Sequence, residues 1–158
     1  MELKLPDEAA TQRLGALLAQ SLPDLQSAHL LLALQGELGT GKTTLARGLL
    51  RALGVKGPIR SPTFTLVEPY DTCAGTIHHL DLYRLEGAPG DLDALGYRDY
   101  RAMPGLVIVE WPERGGTALG LADLTIVIEH QLAGRNVRIT NQTAAGKAWQ
   151  GALRCKRI

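Results

Sequence analysis

The sequence predicts an α/β fold of three layers: a mostly parallel central sheet, helices on both of its faces, and antiparallel hairpin additions at one side. Three observations predict it. The apolar run at 30–34 leads through a glycine-rich turn straight into a helical pattern, which is a strand–loop–helix unit. A second apolar run, at 106–109, has the length and composition of a strand buried on both faces, the habit of parallel strands. Two other regions, 63–83 and 124–141, set β-rich segments on either side of turn residues and read as hairpins.

Taken in order, the chain is expected to begin with an amphipathic helix. After Pro6-Asp7, Leu14, Leu17, Leu18 and Leu22 recur on one face to about Ser21, and Pro23 stops the pattern. Leu30-Leu31-Leu32-Ala33-Leu34 is the first buried strand. Beyond the glycine turn, Ala46, Leu49, Leu50 and Leu53 fall at i, i+3, i+4 and i+7 of a helix closed by Gly54. Residues 54–62 form a loop punctuated by Gly and Pro. Segments 63–70 and 76–83 then flank the turn-prone stretch 71–75 as an antiparallel hairpin, unusual beside a parallel sheet. Residues 87–104 mix glycines, prolines and acids with short apolar pieces, which predicts short helices and loops. After the 106–109 strand, segments 124–131 and 136–141 bracket Ala133-Gly134-Arg135 in a second hairpin. The last helix places Ala145, Ala148, Trp149 and Ala152 on one face.

At 158 residues the chain is sized for one compact domain, 1–158, with no linker and no room for a separate substrate domain. The net charge is +1 with both signs mixed along the chain, so any contact with nucleic acid is expected to be indirect or weak. The local excess Arg154-Cys155-Lys156-Arg157 reads as a solvated helix end. Cys73 and Cys155 lack metal or redox spacing and read as thiols of a reducing cytosol. The sequence shows neither a secretory leader nor a membrane-length apolar run, and a cytoplasmic location is expected.

The chemistry is concentrated in Gly36-Glu37-Leu38-Gly39-Thr40-Gly41-Lys42-Thr43, a complete P-loop. Such a loop needs inward backbone N–H groups, glycines where a side chain would block them, a Lys for the outer phosphates and a hydroxyl for magnesium. All four are here, and the phosphates would sit on a helix N-terminus that favours anions. Hydrolysis further needs an acid near the metal and a group that orients water. Glu110 follows the buried strand 106–109 at its carboxyl end, where ligands of open α/β sheets bind, and is the first choice for the metal. Asp81 either holds a metal-bound water, activates the attacking one, or pairs structurally with Arg84. His78 and His79 point to opposite faces of one strand, cannot share a site and read as structural. Ser61-Pro62-Thr63 suits a switch segment with two hydroxyls, or a proline-fixed strand entry. Trp111-Pro112 gates the pocket, seals a partner surface or packs in the core. Asp93-Ala94-Leu95-Gly96 matches a GTPase-type DxxG, but without Asn-Lys-x-Asp it gives guanine no support.

Together, the segments Gly36 to Thr44, SPTFTLVEPY (61–70), HLDLYRL (79–85) and VEWPE (109–113) resemble the TsaE (YjeE) family over nearly the whole chain. The resemblance implies a magnesium-dependent ATPase, weak alone, that supports threonylcarbamoyladenosine formation in tRNA by working with the TsaD and TsaB proteins. It implies that Glu37, Leu38, Gly39, Thr40, Gly41, Lys42, Thr43 and Thr44 cradle ATP, and that Thr43 and Glu110 hold Mg2+. Lys42, Asp81 and Glu110 would be the catalytic set, with Asp81 at the Walker B position. Thr11 and Arg135 match positions that the resemblance, and nothing in their spacing, places near the adenine end. Two other readings compete. A small-molecule kinase would use the same loop but needs an Arg-rich lid, for which Arg98 and Arg101 are the candidates. A nucleotide-switched binding module would turn over negligibly.

Overall fold

The computed structural model describes residues 1–156 apart from Pro89, so Arg157 of the basic tail lies outside the described residues. One seven-stranded sheet organises the chain, in the order β1-β7-β6-β2-β5-β4-β3. Its parallel centre is β6 (Leu124–His130), β2 (His29–Gln35), β5 (Gly105–Glu110) and β4 (Gly75–Asp81). Antiparallel pairs extend both edges. β3 (Val67–Thr72) runs against β4 at one, and β7 (Arg135–Asn141) with β1 (Glu2–Leu5) completes the other. The three-layer, mostly parallel α/β class is as expected from sequence, but the additions stand at two sides rather than one. β1 is also new. Its four residues precede the helix expected to begin the chain, and they form a strand only because β7 offers a free edge for pairing.

Alternation in the parallel strands explains the layers. Leu30, Leu32 and Leu34 of β2, with Leu106 and Ile108 of β5, bury toward α1 (Glu8–Gln20), α2 (Lys42–Ala52) and α5 (Ala144–Arg154). Leu31, Ala33, Val107 and Val109 bury toward α3 (Asp91–Ala94), α4 (Tyr97–Ala102) and the 3₁₀ segment Pro112–Leu119. These strands are apolar throughout because both faces are covered.

Helix ends follow local chemistry. Asp7 caps α1 by accepting from the Ala10 N–H at 2.6 Å. Gly54, at φ 88°, ends α2 with a Schellman pair: its N–H reaches Arg51 O at 3.0 Å and that of Val55 reaches Leu50 O at 3.1 Å. Buried Asp123 accepts from the Leu31 N–H at 2.7 Å and from the Thr143 hydroxyl, and Thr143 in turn caps α5 through the Gly146 N–H at 2.9 Å. This anchor corrects the inward face of α5. Gly146 lies so close to Asp123 that a Cβ would sit 1.9 Å from its carbonyl oxygen. Gly146, Trp149, Gln150 and Leu153 therefore turn inward, while Ala148 and Ala152, expected beside Trp149, are exposed.

The first hairpin also departs from its expected bounds. Residues 62–66 are a turn rather than strand, closed by the Leu66 N–H on Pro62 O at 2.6 Å, with Leu66 at φ 64°. Its effect is to fold Ser61 and Thr63 back toward the end of β4. The 124–141 hairpin and the short helices after residue 90 are as expected.

Helices α1 and α2 cross at two glycines. A Cβ on Gly15 would lie 2.2 Å from Leu45 O, and one on Gly48 would lie 2.3 Å from Gln12 O. Such overpacking costs about 1–3 kcal/mol, roughly 2–4 °C of melting temperature per kcal/mol at this size. Gly15→Ala is expected to lower the Tm by about 3–10 °C in thermal unfolding; an unchanged Tm would show that the crossing relaxes freely.

Candidate active site at the P-loop

Parallel register brings three strand ends level. Leu34 of β2 and Asp81 of β4 both pair with Glu110 of β5, so the loop leaving β2 starts beside two carboxylates. Gly36, at φ 143°, turns the chain where a Cβ would meet Ile128 O at 2.3 Å, and Gly41, at φ 107°, opens α2. Among the described residues, no carbonyl or side chain accepts from the backbone N–H groups of Gly39, Gly41, Lys42, Thr43 and Thr44. That is a row of free donors at a helix N-terminus, the chemistry an oligophosphate requires.

Lys42 is 4% exposed although charged. Its Nζ donates to the carbonyls of Gly36 at 2.6 Å and Glu37 at 2.9 Å, and lies 3.9 Å above the Trp111 ring. Burial pulls the ammonium below the usual lysine pKa, and the charges of Glu110, then Glu113 and Asp81, oppose that shift. Thr43 donates its hydroxyl to Glu110 Oε2 at 3.0 Å, while Glu110 Oε1 is 2.9 Å from His79 Nε2. The two oxygens suit magnesium, a hard cation that takes one or two protein oxygens and completes its shell with water and phosphate. Among the described residues there is no cluster of three His, Cys, Asp or Glu that would form an all-protein cage.

Asp81 is 3% exposed and is held by hydroxyls rather than by Arg84. Its Oδ2 accepts from Ser61, and from Thr63 at 2.9 Å, while Oδ1 accepts the Tyr83 N–H at 3.0 Å. Arg84 instead lies over the Phe64 ring at 4.3 Å. The Ser61-Pro62-Thr63 segment is thus tied to the Asp81 carboxylate. Trp111 packs at the edge of the second core cluster rather than inside it. Half-buried at φ 59°, it donates its N–H to Leu34 O at 3.2 Å and places its ring between Lys42 and Tyr83.

The two positions taken from the resemblance flank the loop. Thr11 is fully buried, its methyl 3.6 Å from where a Gly41 Cβ would lie, and Arg135 Nε donates to Thr40 O at 2.7 Å. Glu37, Leu38 and Gly39 are exposed at the loop's tip, whereas Thr40 is buried with its hydroxyl on Glu37 O at 2.9 Å. The structure does not bring Asp93, Arg98 or Arg101 to this site. Asp93 and Arg98 pair with each other at 2.7 Å beside the helices of the opposite sheet face. Arg101 reaches the carbonyl of His29, at the far end of β2 from the loop.

Sequence reasoning read His79 as structural and did not connect it with Glu110. Fully buried, it holds the metal-candidate carboxylate, and its Nδ1 has no partner among the described residues. The Nε2 contact ties the imidazole of β4 to the carboxylate of β5 and so fixes where Glu110 Oε1 points. His78 takes the other face and stacks on Tyr100 at 4.1 Å, so the two histidines do part as expected. Alternation was the available signal, since it puts His79 on the face of Asp81; the neighbouring strand's register was needed to supply Glu110.

A family model described as "Threonylcarbamoyl adenosine biosynthesis protein TsaE" matches residues 5–138. The chain belongs to the TsaE family. Relatives named tRNA threonylcarbamoyladenosine biosynthesis protein TsaE include that of Haemophilus influenzae, 40% identical over 90% of both chains. That of Synechocystis is 46% identical over 72% of this chain and 71% of its own, and that of Bacillus subtilis 35% over 75% and 72%. The fold of this TsaE-family chain is shared by the crystal structure of Bacillus subtilis YdiB, with TM-score 0.78 and 24% identity over 98% of this chain and 94% of that one.

His79→Leu keeps apolar bulk but strips Glu110 Oε1 of its donor. An unpaired buried acceptor costs about 1–3 kcal/mol, so the Tm should fall by roughly 3–10 °C. No change in thermal unfolding would mean that Glu110 finds another partner.

Proposed function

We propose that this TsaE-family protein binds ATP with magnesium at the P-loop and hydrolyses it in support of tRNA threonylcarbamoyladenosine formation, acting in the cytoplasm with TsaD and TsaB. The observation that carries the reading is the Thr43–Glu110 hydrogen bond of 3.0 Å beside the row of unpaired loop N–H groups. The relatives' shared name supports the pathway. No helix of the described residues is long and apolar enough to cross a membrane.

In this reading the loop N–H groups and the Lys42 ammonium hold the phosphates, and Thr43 and Glu110 hold the metal. Bound magnesium would neutralise phosphate charge as the terminal bond breaks. His79 keeps Glu110 aimed through its Nε2 contact. Asp81, level with Glu110 across the strand pair, either takes the proton of an attacking water or supports the metal shell, while Ser61 and Thr63 hold its carboxylate. The kinase reading is the weaker one, because Arg98 and Arg101 are engaged away from the loop.

Lys42→Ala should weaken ATP binding and abolish turnover; hydrolysis within about threefold of wild type, under ~1 kcal/mol of barrier, would sink the assignment. Glu110→Gln should damage the magnesium-dependent step with the fold intact. Asp81→Asn separates the two roles of that carboxylate. Loss of turnover by about 10²–10⁴ with affinity kept marks water activation, whereas a raised magnesium requirement marks metal support.

Partner dependence is read through Trp111. The chain carries a net charge of +1 and so has little means of holding tRNA by counterion release, which leaves protein contact as the route to the modification. With its ring on the Lys42 ammonium, Trp111 links the exposed residues 113–114 of the 3₁₀ segment to the phosphate site. Trp111→Ala should reduce turnover stimulated by TsaD and TsaB more than basal nucleotide binding. Equal loss of both, with a Tm drop of several degrees, would make it a packing residue.

A further inference from the structure

The two edges of the sheet differ. β3 carries Pro69, which has no N–H to donate, along with Glu68 and Asp71, and so resists further pairing. β1 carries no proline, and its two charges, Glu2 and Lys4, are of opposite sign. Met1 and Ile139 exchange N–H···O bonds at 2.8 Å in both directions, which fixes the ladder alternation: Leu3 and Leu5 also face β7 with their backbone, and Glu2 and Lys4 face outward. Among the described residues, the backbone N–H and C=O groups of Glu2 and Lys4 have no partner.

We propose that β1 is a self-association edge: two copies of this chain join antiparallel along it, Glu2 of each beside Lys4 of the other, and continue the sheet across a two-fold axis at Leu3. The sequence Glu2-Leu3-Lys4 is self-complementary in that register. Glu2 and Lys4 form hydrogen-bonded pairs with the second copy, which satisfies all four outward backbone groups of each strand. Their side chains lie on one sheet face, where Glu2 already meets Arg138 at 3.2 Å, so the dimer extends a ladder of alternating charge. The two Leu3 residues meet as a close, non-hydrogen-bonded pair on the other face. There a groove of about 430 Å³ between β1 and α1, lined by Leu3, Ala10, Arg13 and Leu17 among others and by no carboxylate, gives them apolar cover.

Sedimentation equilibrium over a concentration series tests this. The wild-type chain should rise from 17.0 kDa toward twice that mass. Glu2→Lys and Lys4→Glu set like charges opposite each other and should each weaken association by at least about tenfold. An equimolar mixture of the two variants should associate again, because each supplies the charge the other lacks. Lys4→Pro removes only an outward N–H and should leave a folded monomer by circular dichroism. A wild type that stays monomeric at high concentration overturns the proposal, as does failure of the mixed variants to recover. The groove could instead take an acidic segment of another protein through Lys4 and Arg13. Lys4→Glu would then lose, and Glu2→Lys would gain, binding to a Glu-rich hexapeptide, a pattern that also overturns self-pairing.

Discussion

The hydrogen bond from Thr43 to Glu110 joins the first turn of α2 to the end of β5, and the rest of the site is built around the need to make it. A carboxylate 2% exposed is costly unless its oxygens are bonded. Thr43 takes one oxygen and His79 the other, so three elements of the fold converge on one charge. If the register of β4 against β5 slipped by one residue, His79 would turn to the opposite face and leave Glu110 Oε1 without its partner. The pairing that makes the sheet therefore also positions the acid's partner.

A second constraint is the crowding of like and unlike charges at the strand ends. Lys42, Glu110 and Asp81 are all nearly buried, and Asp81 and Glu110 are strand neighbours. Each is satisfied separately: Lys42 by loop carbonyls and the Trp111 face, Glu110 by Thr43 and His79, Asp81 by Ser61, Thr63 and the Tyr83 N–H. Two of these arrangements, those of Lys42 and Asp81, depend on a backbone excursion. Trp111 reaches Lys42 from φ 59°, and the turn at 62–66, with Leu66 at φ 64°, delivers the two hydroxyls to Asp81. Non-glycine residues hold such angles only where surrounding bonds compensate, and among the described residues both non-glycine residues of positive φ stand beside this site. The helix crossing at Gly15 and Gly48 adds the last piece, since it packs α1, with buried Thr11, closely beside α2.

Local pattern was enough for much of this. The P-loop, its strand and its helix could be read because their spacing encodes a local turn chemistry; so could Glu110, because an acid closing an apolar run must emerge at a strand end. The resemblance of whole segments to the TsaE family added Thr11 and Arg135, positions with no local signature. What pattern could not supply was whatever depends on a second segment. The four residues of β1 become a strand only against β7, and α5 turns Gly146 rather than Ala148 inward only because Asp123 stands there. His79 likewise gains its role from Glu110, 31 residues away.

The sequence by itself determined that the chain is a three-layer α/β protein with a P-loop, an acid at the end of a buried strand and a hydroxyl-rich segment after the loop helix. Those features depend on residues adjacent along the chain or on one periodic face. Tertiary structure alone decided that Asp81 is held by Ser61 and Thr63 rather than Arg84, that Trp111 covers Lys42, and that β1 leaves its outer edge open. The physical reason is register: hydrogen-bonded strand pairing sets which distant side chains share a face and a level, and no local period records it.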